Sequence, residues 1–551
     1  MLPSHPMHSR DCAGLFKPGP LTYTAHYDFD AEVTVVKDLV WCPGMGNPTF
    51  DSPLELLSAF TAGTLLMCEI DGVQYGSTDA YMDPSPSTFL PPDMASKAEP
   101  RIYYPDGPRF TMDNRTVSWM GWDLHVDLHG LFGMVVSNLR YQGERIAYEM
   151  HATEFSAVYS GASSKKDVFY SDGGYEMGNC ATTLKVGLQC PDEAIFLPAM
   201  GYDSGYIWGG AMGETDKAIC IFEAPKNKAL YQHAQMRYEG MPDSSLMVRT
   251  VLTVGNYDYT QTFELGLTGD FHWHKELSGY AVGSYVIPDA PASIQSDMFG
   301  ALLAKSAVGS LHTHSAGYKF DLDIGGTANT FAVKTLNYGP VPEAYAASGE
   351  PSIDLAGVAY ASPDTYYYKT EKITSEGSWD MDGDMTWTSP DSCVTSTPGS
   401  TFVVKSDAVN KFGQPRGYVI DVPLGQYQML PEGNKYLHLQ NFTKCSVLVT
   451  QQNDADIEAV SMDVFGNLYP KHAEAGHDVS QFVDGQNLES VDLVLYAHST
   501  KPHWVRTEDV PVPTTMGGPI SFSPTNFFDI NPFKHMPGVI KEGSTCKVTG
   551  K

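Results

Sequence analysis

Along most of the chain, apolar residues recur at every second position and rarely at helical spacing. Trp119–Leu128, Leu246–Leu267, Tyr318–Ile324 and Asp492–Ala497 therefore read as strands. From Tyr257, one face carries Tyr257, Tyr259, Gln261, Phe263, Leu265 and Leu267, and the other Asn256, Asp258, Thr260, Thr262 and Glu264. By pattern alone this is a central strand with two core tyrosines. In Tyr318–Ile324, the apolar face holds Tyr318, Phe320, Leu322 and Ile324, and the polar face Lys319, Asp321 and Asp323. Earlier, Leu21–Tyr27 and Ala31–Val40 are strand-like and Pro53–Leu65 is helix-like. The stretch Met82–Met94 holds four prolines and reads as a linker. The expected architecture is mainly β: a small α+β domain over residues 1–97, then a large antiparallel β-sandwich over 98–551. Glu371–Pro398, rich in Ser, Thr and Asp, reads as a long loop or hairpin.

Composition supports a large folded core. The 551 residues are 42% hydrophobic and 12% aromatic, and 51 glycines with 37 prolines suit many turns. The net charge of −30 repels phosphate backbones and anionic lipid, which excludes nucleic acid and membrane surfaces as first partners. No apolar run reaches the roughly 18 residues of a membrane helix; Leu54–Ile70 carries Glu55 and Glu69 and reads as a buried element. The first residues lack an apolar signal region, and the last match neither a peroxisomal nor a reticulum address. Nine cysteines without Cys-x-x-Cys spacing argue against zinc ribbons and dithiol redox chemistry.

Histidines spaced by two on a strand aim both imidazoles to one side, which suits copper or zinc. His312 with His314 and His272 with His274 compete, and His125 with His129 is a wider pair. A lone pair of this kind is more often two solvent-facing side chains. Asp321 and Asp323 repel each other on one face unless a hard cation such as calcium offsets the charge; a plain solvated face is the simpler alternative. His498 and His503 are both candidates for a third ligand, and spacing does not choose between them.

The tetrapeptide Asn256-Tyr257-Asp258-Tyr259 resembles the Asn-Tyr-(Asp/Glu)-Tyr signature of the copper amine oxidases. The surroundings agree in order: LGLTGDFHWH after the signature, His312-Thr-His314, Asp321-Leu322-Asp323, PHWVRTEDVP from Pro502, and NFFDINP from Asn526. Upstream, VFYSDGGYEMG resembles the family's Tyr-x-Asp-x-Gly segment, and Glu99–Asn114 its entry to the catalytic domain. The resemblance runs over roughly residues 98–535. It implies that Tyr257 is oxidised in place to topaquinone and that His312, His314 and His503, rather than His498, hold Cu(II). It places His272 and His274 outside the metal site. Asp172 takes the role of catalytic base, Tyr170 that of a gate residue, and Tyr159 that of a hydroxyl on the quinone oxygen. Asn256 and Asp258 fix the cofactor's orientation. Calcium falls to Asp321, Asp323 and Asp492 with the carbonyls of Leu322 and Leu493, and a disulfide to Cys190 and Cys220.

The implied activity is oxidation of primary amines by O2 to aldehyde, ammonia and hydrogen peroxide, by a homodimer. The quinone would capture the amine covalently, and Asp172 would remove a proton from its α-carbon. Taken singly, Asp172 reads better as a turn aspartate and Tyr159 and Tyr170 as packing residues; taken together they read as functional. Two alternatives stand beside this activity. One is a non-catalytic metal-binding protein that keeps the sandwich; the other is a histidine-ligated oxidase without a quinone. Two departures from the family are visible. Pro513 stands where a methionine is common, and there is room for about one small domain before the catalytic one where the family usually has two. A truncated gene product would explain the missing leader. Asn114-Arg-Thr and Asn441-Phe-Thr are glycosylation sequons. The implied disulfide favours secretion; a cytoplasmic or peroxisomal location is the alternative.

Overall fold

The computed structural model describes residues 100–160, 168–172, 177–202, 212–233, 239–254, 256–279, 283–285, 299–304, 307–340, 364–378, 380–381, 387–388, 391–423, 441–454, 456, 479–509, 513–535 and 541–542. Before them it describes two hairpins, Leu21–Asp28 with Val33–Trp41 and Cys68–Ile70 with Val73–Tyr75. The first hairpin matches the two strand-like runs of the sequence. The helix-like patch Pro53–Leu65 and the Met82–Met94 linker lie outside the described residues.

Two large antiparallel sheets account for the fold. One has ten strands. Its middle runs Val447–Gln451, Leu493–His503, His312–Leu322, Glu144–Tyr159, Gly133–Tyr141 and Trp122–His129. The other has twelve. Its middle runs Met212–His233, Glu239–Val254, Tyr257–Leu265, Phe271–Gly279 and Met516–Thr525. Their apolar faces meet in one aromatic core. Trp273 lies over Tyr318 with ring centroids 5.6 Å apart, and Phe320 over Phe522 at 4.7 Å. Each such ring, fully removed from water, contributes on the order of 2–3 kcal/mol. The even-numbered residues of His312–Leu322 face this core, as the alternation of Tyr318, Phe320 and Leu322 requires. The odd-numbered face is not a solvated one, contrary to the simpler expectation. A second apolar cluster with Phe442, Cys445, Leu448, Phe482, Val494 and Tyr496 lies on that side of the sheet, and Asp321 and Asp323 are buried.

Two expected strands are hairpins. Trp119–Leu128 turns at Met120 and Gly121, whose φ values of 47° and 92° suit a tight turn that glycine favours. Leu246–Leu267 divides into Glu239–Val254 and Tyr257–Leu265, paired from Val254 with Tyr257 to Leu246 with Leu265. A period-2 pattern passes through a short turn without breaking, so apolar alternation could not reveal either. Within Glu371–Pro398, Asp380–Met381 pairs with Trp387–Thr388, so part of that segment is a hairpin. The Cys190–Cys220 disulfide forms. A second, Cys393–Cys445, ties the outer cluster to the sheet edge and was not legible from spacing. Of the two sequons, Asn114 is exposed, whereas Asn441 is buried with its amide donating to Ser480 Oγ and has no room for a glycan.

Candidate active site

The site lies where the two sheets face each other at one end of the core, and strand register assembles it. His312 pairs with His503 on one side and with Tyr159 on the other, so three neighbouring strands bring three rings level. His314 follows two residues later on the same face. His498 pairs with Gly317 and therefore belongs to the opposite face, where it meets Phe442 edge-on at 6.3 Å. Register thus separates the two candidates for a third ligand. His272 and His274 are engaged elsewhere: His272 with Ser521 and Asp270, His274 with Glu264 at 2.8 Å.

Each imidazole of the trio is neutral and oriented. Burial pushes His312 down to about 3, and holds His314 and His503 below the usual histidine range. His312 donates from Nδ1 to the Ser310 carbonyl at 2.7 Å, which leaves Nε2 with its lone pair. His503 donates from Nε2 to Asp509 Oδ2 at 3.0 Å, which leaves Nδ1 with its lone pair. These two acceptor nitrogens lie 3.3 Å apart. The Nε2 of His314 is buried without a hydrogen-bond partner. A buried orphan nitrogen and two facing lone pairs are costly unless a cation sits among them. The donor set of three imidazoles suits copper. Asp509 is absent from the expected site residues. The Glu-Asp pair of the PHWVRTEDVP segment carried the signal, but spacing alone gives it no partner.

Tyr257 comes from the facing sheet. Its hydroxyl lies 3.0 Å from His312 Nε2 and 2.8 Å from His503 Nδ1, and its ring is 4.3 Å from that of His314. Burial pushes its hydroxyl pKa well up, so it stays neutral unless a cation adjoins it. Asn256 sits in the turn that starts this strand. The opposite wall is Gly279, paired with Tyr257. A methyl group there would meet Tyr257 Cα at 2.6 Å and the Asn256 carbonyl at 2.3 Å, so only glycine lets the strands approach this closely. The ring of Tyr159 stacks on His312 at 4.5 Å. Tyr170 is on Val168–Ser171, the short strand paired with the end of Glu144–Tyr159.

Asp172 follows that short strand and accepts a hydrogen bond from the Tyr259 hydroxyl. Burial raises its carboxyl to about 7, against the lowering effect of Tyr259. A buried carboxyl near neutrality is suited to take and return a proton. The carbonyl of Pro513 accepts from Ser278 Oγ at 2.9 Å, one residue from Gly279.

The far end of the same strand carries the acidic group. Asp321, Asp323 and Asp492 bring oxygens within 4.8 Å of one another. Burial and mutual repulsion raise Asp321 to about 7 and Asp492 to about 6. Arg145 pairs with Asp323, but one guanidinium does not balance three carboxylates, and Asp492 Oδ1 is buried without a partner. Leu322 and Leu493 face each other in the ladder beside them, side chains in the core. The all-oxygen donor set suits calcium.

Residues 111–542 match the family described as copper amine oxidase, enzyme domain. The chain belongs to the copper amine oxidase family. It is 26% identical over 491 residues to amine oxidase [copper-containing] 3 of Homo sapiens, covering 88% of this chain and 58% of that one. It is 27% identical over 441 residues to the primary amine oxidase, liver isozyme, of Bos taurus, covering 79% and 53%. The chain thus spans a little over half the length of these relatives. In fold it is similar to the lysyl oxidase of Pichia pastoris, with a TM-score of 0.69 at 21% identity over 96% of this chain and 67% of that one. The Aspergillus nidulans amine oxidase gives 0.66 at 22%, over 88% and 66%. Among the described residues no helix is long and apolar enough to cross a membrane.

Proposed function

We propose that this chain oxidises primary amines to aldehydes with release of ammonia and hydrogen peroxide. It would use copper on His312, His314 and His503 and a topaquinone made from Tyr257. One observation carries this function: His312 Nε2 and His503 Nδ1 turn lone pairs toward each other with the Tyr257 hydroxyl in reach of both, and the buried His314, its Nε2 without a hydrogen-bond partner, packs its ring against that of Tyr257. Copper with O2 would oxidise the Tyr257 ring, and the resulting quinone carbonyl would take up the amine.

The chain's own residues do the rest. Asp172 receives the proton from the amine's α-carbon on its carboxylate and returns it later. Tyr159, packed flat on His312, would hold the charged oxygen of the cofactor, Asn256 would anchor the strand start, and Tyr170 would gate access. Gly279 lets its strand close on Tyr257 with no side chain between them. The carboxylates of Asp321, Asp323 and Asp492 would hold a structural calcium, with the Leu322 and Leu493 carbonyls as further oxygen donors. The proline at 513 leaves all three histidines in place.

A homodimer is supported by exposed aromatic surface. Tyr338, Tyr366 and Tyr368 are 61%, 71% and 63% exposed on the two-stranded ribbon at one edge of the larger sheet. Secretion is supported by disulfides such as Cys190–Cys220 and Cys393–Cys445. The non-catalytic alternative is disfavoured, because Tyr257, Asp172 and all three histidines are retained and buried together, with Tyr257 in hydrogen-bond reach of His312 and His503 and Tyr259 joining Asp172 to His314.

The test is to load the purified chain with copper under air, stain it with a quinone-sensitive redox dye, and follow peroxide with a primary amine. Staining and amine-dependent peroxide are expected. A copper-loaded protein with neither is not an amine oxidase.

A further inference from the structure

Tyr259, the last residue of the signature tetrapeptide, has a hydroxyl with two partners. It donates to Asp172 Oδ2 and lies 3.0 Å from His314 Nδ1. A hydroxyl carries one proton. With that proton given to Asp172, its oxygen must accept from His314, so the imidazole carries its proton on Nδ1. His314 Nε2 is then the lone-pair nitrogen, and it is the buried atom found without a partner. The ring is immobilised: Tyr259 is 2% exposed and Phe155 packs edge-on at 5.2 Å. Among the described residues, this hydroxyl is the link between the Asp172 carboxyl and His314.

Resting on the proposed function, we infer that Tyr259 is a positioning residue that ties the base to the metal site. One hydroxyl proton sets both the orientation of Asp172 and the tautomer of His314. The consequence is reciprocal. Removing the Tyr259 hydroxyl deprives the Asp172 carboxylate of a donor and frees His314 to adopt the wrong tautomer. Removing the Asp172 acceptor lets the hydroxyl turn and donate to His314 Nδ1, which puts the imidazole proton on Nε2 and blocks it as a ligand. A residue that never touches the metal should therefore affect metal binding.

The test uses the full chain with two variants, Tyr259→Phe and Asp172→Leu, the latter matching the carboxyl's bulk without accepting a hydrogen bond. Copper affinity is measured on metal-free protein by competition with a chelator, without reference to turnover. Both variants are expected to bind copper about tenfold more weakly, the range seen when a metal ligand loses its outer partner. In copper-loaded Tyr259→Phe that turns over, the acid limb of kcat/KM is expected to move to higher pH by about one unit, as for the loss of one donor to a carboxylate. Phe155→Leu, which loosens the ring but keeps the hydroxyl, should leave the acid limb where it is. Wild-type copper affinity in both variants would overturn the inference, as would an unmoved acid limb in Tyr259→Phe. If the wild-type chain neither stains nor oxidises amines, the proposed function fails, and the copper competition still decides the role of Tyr259.

Discussion

The strand His312–Leu322 carries two polar sites of opposite character. At its start, His312 and His314 face the core, and burial makes them neutral donors with fixed lone pairs. At its end, Asp321 and, just beyond, Asp323 face the other way and meet Asp492, and burial there opposes the charge of Asp321 and Asp492. The same desolvation acts on both. It turns imidazoles into good ligands for a borderline metal, whereas it leaves carboxylates in need of a hard cation. A period-2 strand can therefore carry a buried imidazole site on one face and a buried carboxylate site on the other, the first read here as the proposed redox centre and the second as the proposed structural one. The two should respond differently to every perturbation.

The largest expected effect is at the histidine end. His503→Ala should remove copper, measured by metal analysis after dialysis, and lower amine turnover by at least about a thousandfold, since no nearby group replaces the lost nitrogen. The acidic end should keep its cation in this variant. Next comes Gly279→Ala. The added methyl meets Asn256 and Tyr257 backbone and cannot be relieved by side-chain rotation. It should cost about 1–3 kcal/mol of stability, read as a lower Tm. It should also slow oxidation of Tyr257 with copper still bound, read by dye staining against metal content.

Asp323→Asn tests the other end. It should abolish the rise in Tm of a few degrees that calcium gives the wild type at a hundredfold excess over Kd, while copper content and staining stay within twofold. Loss of copper in this variant would show that the two ends are not independent. The smallest effect is in pH dependence. The proposed base, Asp172, would work as a carboxylate, and burial raises it to about 7. Below that value most of the population is protonated, so kcat/KM should fall about tenfold per pH unit, and above it should level off. Stopped-flow or peroxide assays from pH 5 to 9 measure this. A profile flat down to pH 5 would remove Asp172 as the base.

Much of this was legible in the sequence, because alternation and short motifs encode it locally. The face shared by Tyr257 and Tyr259, the His312–His314 pair and the two faces of Tyr318–Ile324 all follow from a period of two. What spacing left open was non-local. His503 and His498 differ by five residues, and only pairing with His312 or with Gly317 tells them apart. Asp509, the Asp172–Tyr259 contact and the Cys393–Cys445 bond join segments far apart in the chain or across a turn. Burial of the Asp321 face was equally hidden, because the cluster that covers it comes from residues 442–496.

The central claim is that Tyr257 is the precursor of the cofactor, and the mass of its peptide tests this most directly. The metal-free chain is loaded with copper under air, digested, and the Tyr257 peptide measured against a sample kept without copper. A gain of two oxygens and a loss of two hydrogens is expected at Tyr257, in the copper-loaded sample alone. An unmodified Tyr257 in protein that holds copper on His312, His314 and His503 would contradict it.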